Sequence, residues 1–116
     1  MGNLSIHFDR EEFACKCGCG FDTVDALLLM DLELIRVHFD RPVIITSGCR
    51  CKAHNDSLPN SSTSSQHLLG RAADIVVGGG IPPSLVQEFA NQAGFNGIGH
   101  YEGFTHIDSR SGKASW

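Results

Sequence analysis

The 116-residue sequence predicts an α+β fold, a small antiparallel sheet with helices packed on one side. Three observations carry this reading. Apolar residues recur at three- and four-residue spacing before about residue 39, two short strand-like runs flank a long polar loop, and a further pair of such runs closes around a tight turn. The resulting order is helix, strand, long loop, strand, helix, hairpin. No internal repeat or linker interrupts it, so one domain spanning 1–116 is expected.

Residues 1–21 are rich in Gly and Cys and read as loop, with Phe8, Phe13 and Phe21 pinning the segment to the core. Asp22 or Thr23 can cap a helix running to about Phe39, with Asp25 in its first turn where a carboxylate suits the helix dipole. Val24, Leu27, Leu28, Leu32, Ile35 and Phe39 form its inward face, and Asp31, Glu33, Arg36 and Asp40 read as solvated surface. Arg41-Pro42 ends the helix, and β-branched Val43-Ile44-Ile45-Thr46 is a buried strand. Ser47-Gly48-Cys49-Arg50 turns out of it into a polar loop over 52–66. Ala72–Val77 is the next strand, broken by Gly78-Gly79-Gly80. Pro82-Pro83-Ser84 starts a second helix that ends at Gly94. Gly97–Tyr101 and Phe104–Asp108 read as a hairpin around Glu102-Gly103.

Composition narrows the function classes. A net charge of -4 and a hydrophobic share of 41% fit a folded globular chain and give no electrostatic reason to expect nucleic acid or an anionic membrane as partner. The longest apolar runs, such as Ala26–Met30, are far too short to span a bilayer. Met1–Ser5 lacks the charged-then-apolar plan of a signal peptide, so no export signal is expected, and Ile6 spoils a myristoylation pattern.

Five cysteines, grouped as Cys15-x-Cys17-x-Cys19 and Cys49-x-Cys51, make an odd count, so at least one thiol must stay free or find a metal or another chain. The leading expectation is buried small hydrophobes, or one or two disulfides stapling the N-terminal segment to the strand end near Cys49. A second metal site, which His54 could join, is the alternative.

The chemistry concentrates elsewhere. Ser65-Gln66-His67-Leu68-Leu69-Gly70-Arg71-Ala72-Ala73-Asp74 sets an imidazole and a carboxylate around a Gly where the polar loop enters a strand, and His106 follows in Phe104-Thr105-His106-Ile107-Asp108. Two His and one Asp make three N/O ligands, which suits a catalytic zinc whose fourth position is left to water. If the two strands are neighbours, alternation lets Asp74 and His106 share a face. His106 and Asp108 share one as well, so Asp108 is either a partner orienting a ligand or a base near the metal. His7 and His38 read as surface or hydrogen-bonded residues.

The pattern Ser65-x-His67-x-x-Gly70-x-Ala72-x-Asp74 resembles the zinc-ligand motif of the zinc D-Ala-D-Ala carboxypeptidase family, which includes phage endolysins and shares its zinc-binding fold with the hedgehog signalling domain. Ser47-Gly48-Cys49-Arg50 is similar to that family's Ser-Gly-Tyr-Arg segment, with Cys49 in place of Tyr. His54-Asn55, the closing His106-Ile107-Asp108-Ser109-Arg110…Trp116 and the opening Phe13–Gly20 are also similar to its short members, so the resemblance covers essentially the whole chain. It implies His67, Asp74 and His106 as Zn2+ ligands and Arg50 as the cation holding a substrate carboxylate or developing oxyanion. Many family members carry a Glu or His general base three residues before the last zinc His. Here that residue is Gly103, and the nearby substitutes are Asp108, Glu102 and His100, with Asp108 slightly favoured.

The function implied is a zinc metallopeptidase hydrolysing D-alanyl or mixed L/D bonds in peptidoglycan stem peptides, acting at the bacterial cell wall and encoded by a phage or prophage. A non-catalytic zinc-binding, wall-binding or interaction module of the same fold is the alternative, and a Cys-based redox or nucleophilic enzyme is a third reading.

Overall fold

The computed structural model describes residues 4–15, 19–20, 22, 24–48, 50–51, 55 and 66–116. Expectations for Cys17, Phe21, Thr23, Cys49, His54 and most of the 52–66 loop lie outside the described residues.

The α+β class holds. Helix α1 spans Ala26–Phe39 and α2 spans Pro83–Ala93, and a five-stranded sheet is built from β1 (Val43–Ser47), β2 (Ala72–Val77), β3 (Gly97–His100), β4 (Thr105–Asp108) and β5 (Ala114–Ser115). The sheet order is β1-β2-β4-β3-β5. All neighbours are antiparallel except β3 and β5, so the sheet is mixed at one edge rather than purely antiparallel.

Helix α1 begins later than the sequence suggests. Asp25 is its N-cap, accepting from the backbone N–H groups of Leu27 and Leu28, and is not a first-turn residue. Leu28, Leu32 and Ile35 form its buried stripe, while Leu27 stands one residue off that stripe and is exposed. Its charges are not all solvated. The Glu33 carboxylate accepts from Ser5 Oγ at 2.5 Å and from the His7 backbone N–H at 2.9 Å, tying the N-terminal segment to the helix. Asp31 is half-buried, and burial, reinforced by Asp25, pushes its carboxyl up to about 6. Helix α2 has Pro at its start, and Gly94 ends it in the left-handed conformation at φ 79°, where a Cβ would be strained.

Both helices cover the same face of the sheet. Val43, Ile45, Ala73, Ile75, Val77, Ile98 and Ile107 point into one core with Leu28, Leu32, Ile35, Val86 and Ala90, closed by Phe8, Phe13 and Phe95. Each fully buried side chain of this size contributes about 1.5–3 kcal/mol by leaving water. The strand residues between them necessarily point the other way. Pairing sets Asp74 opposite His106 and Ala72 opposite Asp108 across β2 and β4, then Gly99 opposite His106 and Gly97 opposite Asp108 across β3 and β4. The opposite face thus carries the polar residues.

Candidate metal centre

His67 sits in a 3-10 turn, Gln66–Leu69, that leads into β2. Its Nδ1–H donates to the Gly48 carbonyl at 2.5 Å, which leaves Nε2 facing Asp74, 3.4 Å from Oδ1. His106 is turned the opposite way. Its Nδ1 lies 3.0 Å from the same Asp74 Oδ1, and its Nε2–H donates to Asp108 Oδ2 at 2.7 Å. One donor atom from each of His67, Asp74 and His106 therefore falls within 4.8 Å of the others, and all three side chains are buried. Metal–nitrogen and metal–oxygen bonds of about 2.0–2.2 Å in tetrahedral array separate ligand atoms by about 3.3–3.5 Å, close to the spacings seen here. Each imidazole also has its outer nitrogen bound to an acceptor, which fixes ring and tautomer as metal-ligating histidines require. The donor set fits zinc.

The electrostatics follow from burial and contact. Burial disfavours the Asp74 carboxylate, but its contacts with the His106 and His67 imidazoles outweigh it and hold its carboxyl well below the usual range. Burial likewise disfavours charge on Arg50, with Asp74 and Cys15 acting in the opposite direction. Arg50 Nη2 is 3.4 Å from Asp74 Oδ2, and its other nitrogens donate to Ser47 Oγ and Asn55 Oδ1, each at 3.3 Å. A register shift between Ile45 and Ser47 kinks β1 beside the site, and Thr46 Oγ1 donates to the Asp74 carbonyl at 3.1 Å.

The three candidate bases part company. Asp108 is fully buried at the outer edge of the His106 ring. Arg110 grips it through two parallel bonds, Nε to Oδ1 at 2.8 Å and Nη2 to Oδ2 at 2.6 Å. With His106 on the same oxygen, its lone pairs are committed. His100 pairs with Thr105, so it points to the helix side of the sheet, away from His106. Its Nδ1–H donates to the Trp116 carbonyl at 2.6 Å, and its Nε2 meets Asn91 of α2. Glu102 lies exposed in the hairpin turn beside Gly103, and apart from Gly103 and its two chain neighbours no heavy atom of the described residues lies within 4 Å of where a Gly103 Cβ would stand.

Several residues join the site that the sequence reading did not assign to it. Arg110 clamps Asp108. A Cβ at Gly97 would fall on the Asp108 carboxylate, and one at Gly99 would stand 2.8 Å from His106 Cβ and 3.0 Å from Trp116, so both glycines make room for the polar layer. Trp116 packs on His106 at 5.0 Å between ring centroids, lies under the Arg110 guanidinium, and donates from Nε1 to the Tyr101 hydroxyl. Alternate glycines in a strand are the signal that could have pointed to this layer.

A buried His–Asp–His cluster on the sheet face opposite the core, with a cation at its edge, is a donor set of the kind that metallohydrolases use. The chain matches the family model for Peptidase M15 over residues 6–108, and it belongs to this zinc D-Ala-D-Ala carboxypeptidase family. Comparison with individually curated proteins gives no match.

Proposed function

We propose that the protein is a zinc-dependent peptidase of bacterial peptidoglycan, cleaving D-alanyl or mixed L/D bonds of stem peptides at the cell wall. The observation that carries this reading is the convergence of His67 Nε2, His106 Nδ1 and Asp74 on one point, each imidazole locked by an acceptor on its far side. Zinc held there would polarise a carbonyl and lower the pKa of a water toward about 7. Arg50, whose fork already reaches the edge of the cluster, binds a substrate carboxylate or steadies the developing oxyanion. Asp108 acts through His106: clamped by Arg110, it holds the ring and raises its basicity as a ligand. Glu102, exposed in the turn beside Gly103, takes the proton-transfer role that Asp108 is too committed to fill.

The test is release of new amines from purified peptidoglycan. Turnover that is lost on chelation and restored by zinc is the expected result, and the absence of new amines across a range of pH with zinc supplied would sink the reading.

The open space at Gly103 favours a second reading, a zinc-bound binding module without turnover. Gly103→Glu separates the two. If a missing base is what silences the site, the variant gains activity by up to about 100-fold, whereas an active wild type with an unresponsive variant supports Glu102.

A further inference from the structure

A second group of metal-ligating side chains lies outside the histidine–aspartate cluster. Cys15 is buried at the end of the N-terminal segment, Cys19 is exposed, and Cys51 is half-buried directly after Arg50. Their three sulfurs lie within 4.8 Å of one another. Those of Cys15 and Cys51 are 3.8 Å apart, so these two are not bonded to each other, because a disulfide holds its sulfurs at about 2.05 Å. The spacing matches another bonding mode. With zinc–sulfur bonds of about 2.3 Å, the edge of a tetrahedron of thiolates is about 3.8 Å. The backbone N–H of Cys51 donates to Cys15 Sγ at 3.3 Å, a contact that favours the thiolate over the thiol. The nearby Arg50 guanidinium works in the same direction.

We propose that Cys15, Cys19 and Cys51 hold a structural zinc ion, with a further donor completing four-coordination, and that this ion staples the N-terminal segment to the loop leaving β1. The loop is where a staple matters. Gly48 stands so close to Phe13 that a Cβ there would lie 2.5 Å from the Phe13 carbonyl oxygen. The carbonyl of Gly48 is the acceptor that orients His67, and Arg50 immediately precedes Cys51. A metal on the three thiolates would thus hold in register both the backbone behind one histidine and the cation at the edge of the cluster. The proposal does not depend on the peptidase reading, since it concerns a different set of ligands.

The experiment is a zinc titration of reduced, metal-stripped full-length protein against a colorimetric chelator, with cobalt spectra in parallel. Two zinc ions per chain are expected for the wild type and one for His67→Ala, which keeps the thiolate site. Cys51→Ser should also hold one, with its cobalt form losing the sulfur-to-metal charge-transfer band that His67→Ala retains. Cys19→Ser alters an exposed side chain and serves as the second variant should Cys51→Ser fail to fold; it should weaken the thiolate-site zinc by about tenfold or more. A wild type whose cobalt form lacks the thiolate band, a His67→Ala protein without that band, or a Cys15–Cys51 disulfide detected by mass spectrometry in fully metal-loaded protein would each overturn the proposal, whereas a single zinc that keeps the band would overturn only the histidine–aspartate site.

Discussion

The two faces of the sheet are written by alternate residues of the same strands, yet they obey different rules. On the helix side, Ile75, Ile98 and Ile107 interlock with α1 and α2, and the chemistry asks only for apolar volume of the right shape. On the other side, Asp74, His106 and Asp108 form a layer in which every charge has a named partner. A buried apolar face tolerates exchange among similar volumes. A buried ionic face does not, because removing one partner strands another charge. The difference teaches where the fold can drift and where it cannot.

Removing a ligand from the polar face should have the largest effect. Asp74→Ala or His67→Ala is expected to cost more than the about 100-fold in zinc affinity typical of losing an orienting partner, by metal analysis after dialysis. His38→Ala, whose ring stacks on Phe89 at 4.1 Å far along the helix side, should retain zinc, and equal retention in all three proteins would break the assignment. Ile107→Ala tests the other face from one residue away. It should lower unfolding free energy by about 3 kcal/mol in denaturant titration while sparing zinc binding. Asp108→Asn keeps the volume but weakens the grip on His106 and Arg110, so zinc affinity should fall by about 10- to 100-fold with the fold intact. An unchanged affinity would mean that Asp108 serves packing alone.

The smallest effect lies at Asp31 on α1. Its carboxyl is raised from 3.8 to about 6 by burial, so the folded state holds a proton that the unfolded state has lost. Stability therefore declines as pH rises between those two values and stays lower above them. Asp31→Asn should add about 1 kcal/mol at pH 7, the full shift being discounted for half-exposure, and should bring no gain below about pH 4. Thermal melts at the two pH values check the sign.

Much of this architecture was legible in the sequence because its signals are local. The β-branched run Val43–Thr46, the apolar run at Ala72–Val77, and the Pro82-Pro83 to Gly94 bracket each announce an element without reference to the rest of the chain. The start of α1 was less clear, because Asp22, Thr23 and Asp25 are all competent caps and only tertiary packing selects one. Strand β5 is two residues long and pairs in parallel with β3 across the chain, so it leaves no periodicity to read. That Asp74 and His106 share a face was foreseeable from strand alternation once β2 and β4 were neighbours, whereas His67, in a turn before β2, was legible only through the family resemblance. The Arg110 clamp was harder, since an Asp-x-Arg pair at a strand end is common on solvated surfaces. What makes it matter here is the complete burial of Asp108, a property of the assembled sheet.

The two histidines present different nitrogens to the shared centre, Nε2 from His67 and Nδ1 from His106. The pair is therefore not interchangeable, and amide mimicry exposes the asymmetry. The terminal group of glutamine reaches where an imidazole Nε2 would be, whereas that of asparagine reaches only as far as Nδ1. His67→Gln and His106→Asn each set a neutral donor near the ligand position, and the swapped pair, His67→Asn and His106→Gln, sets it short in one case and long in the other. The reach of each side chain, as much as its basicity, is part of what this sheet specifies.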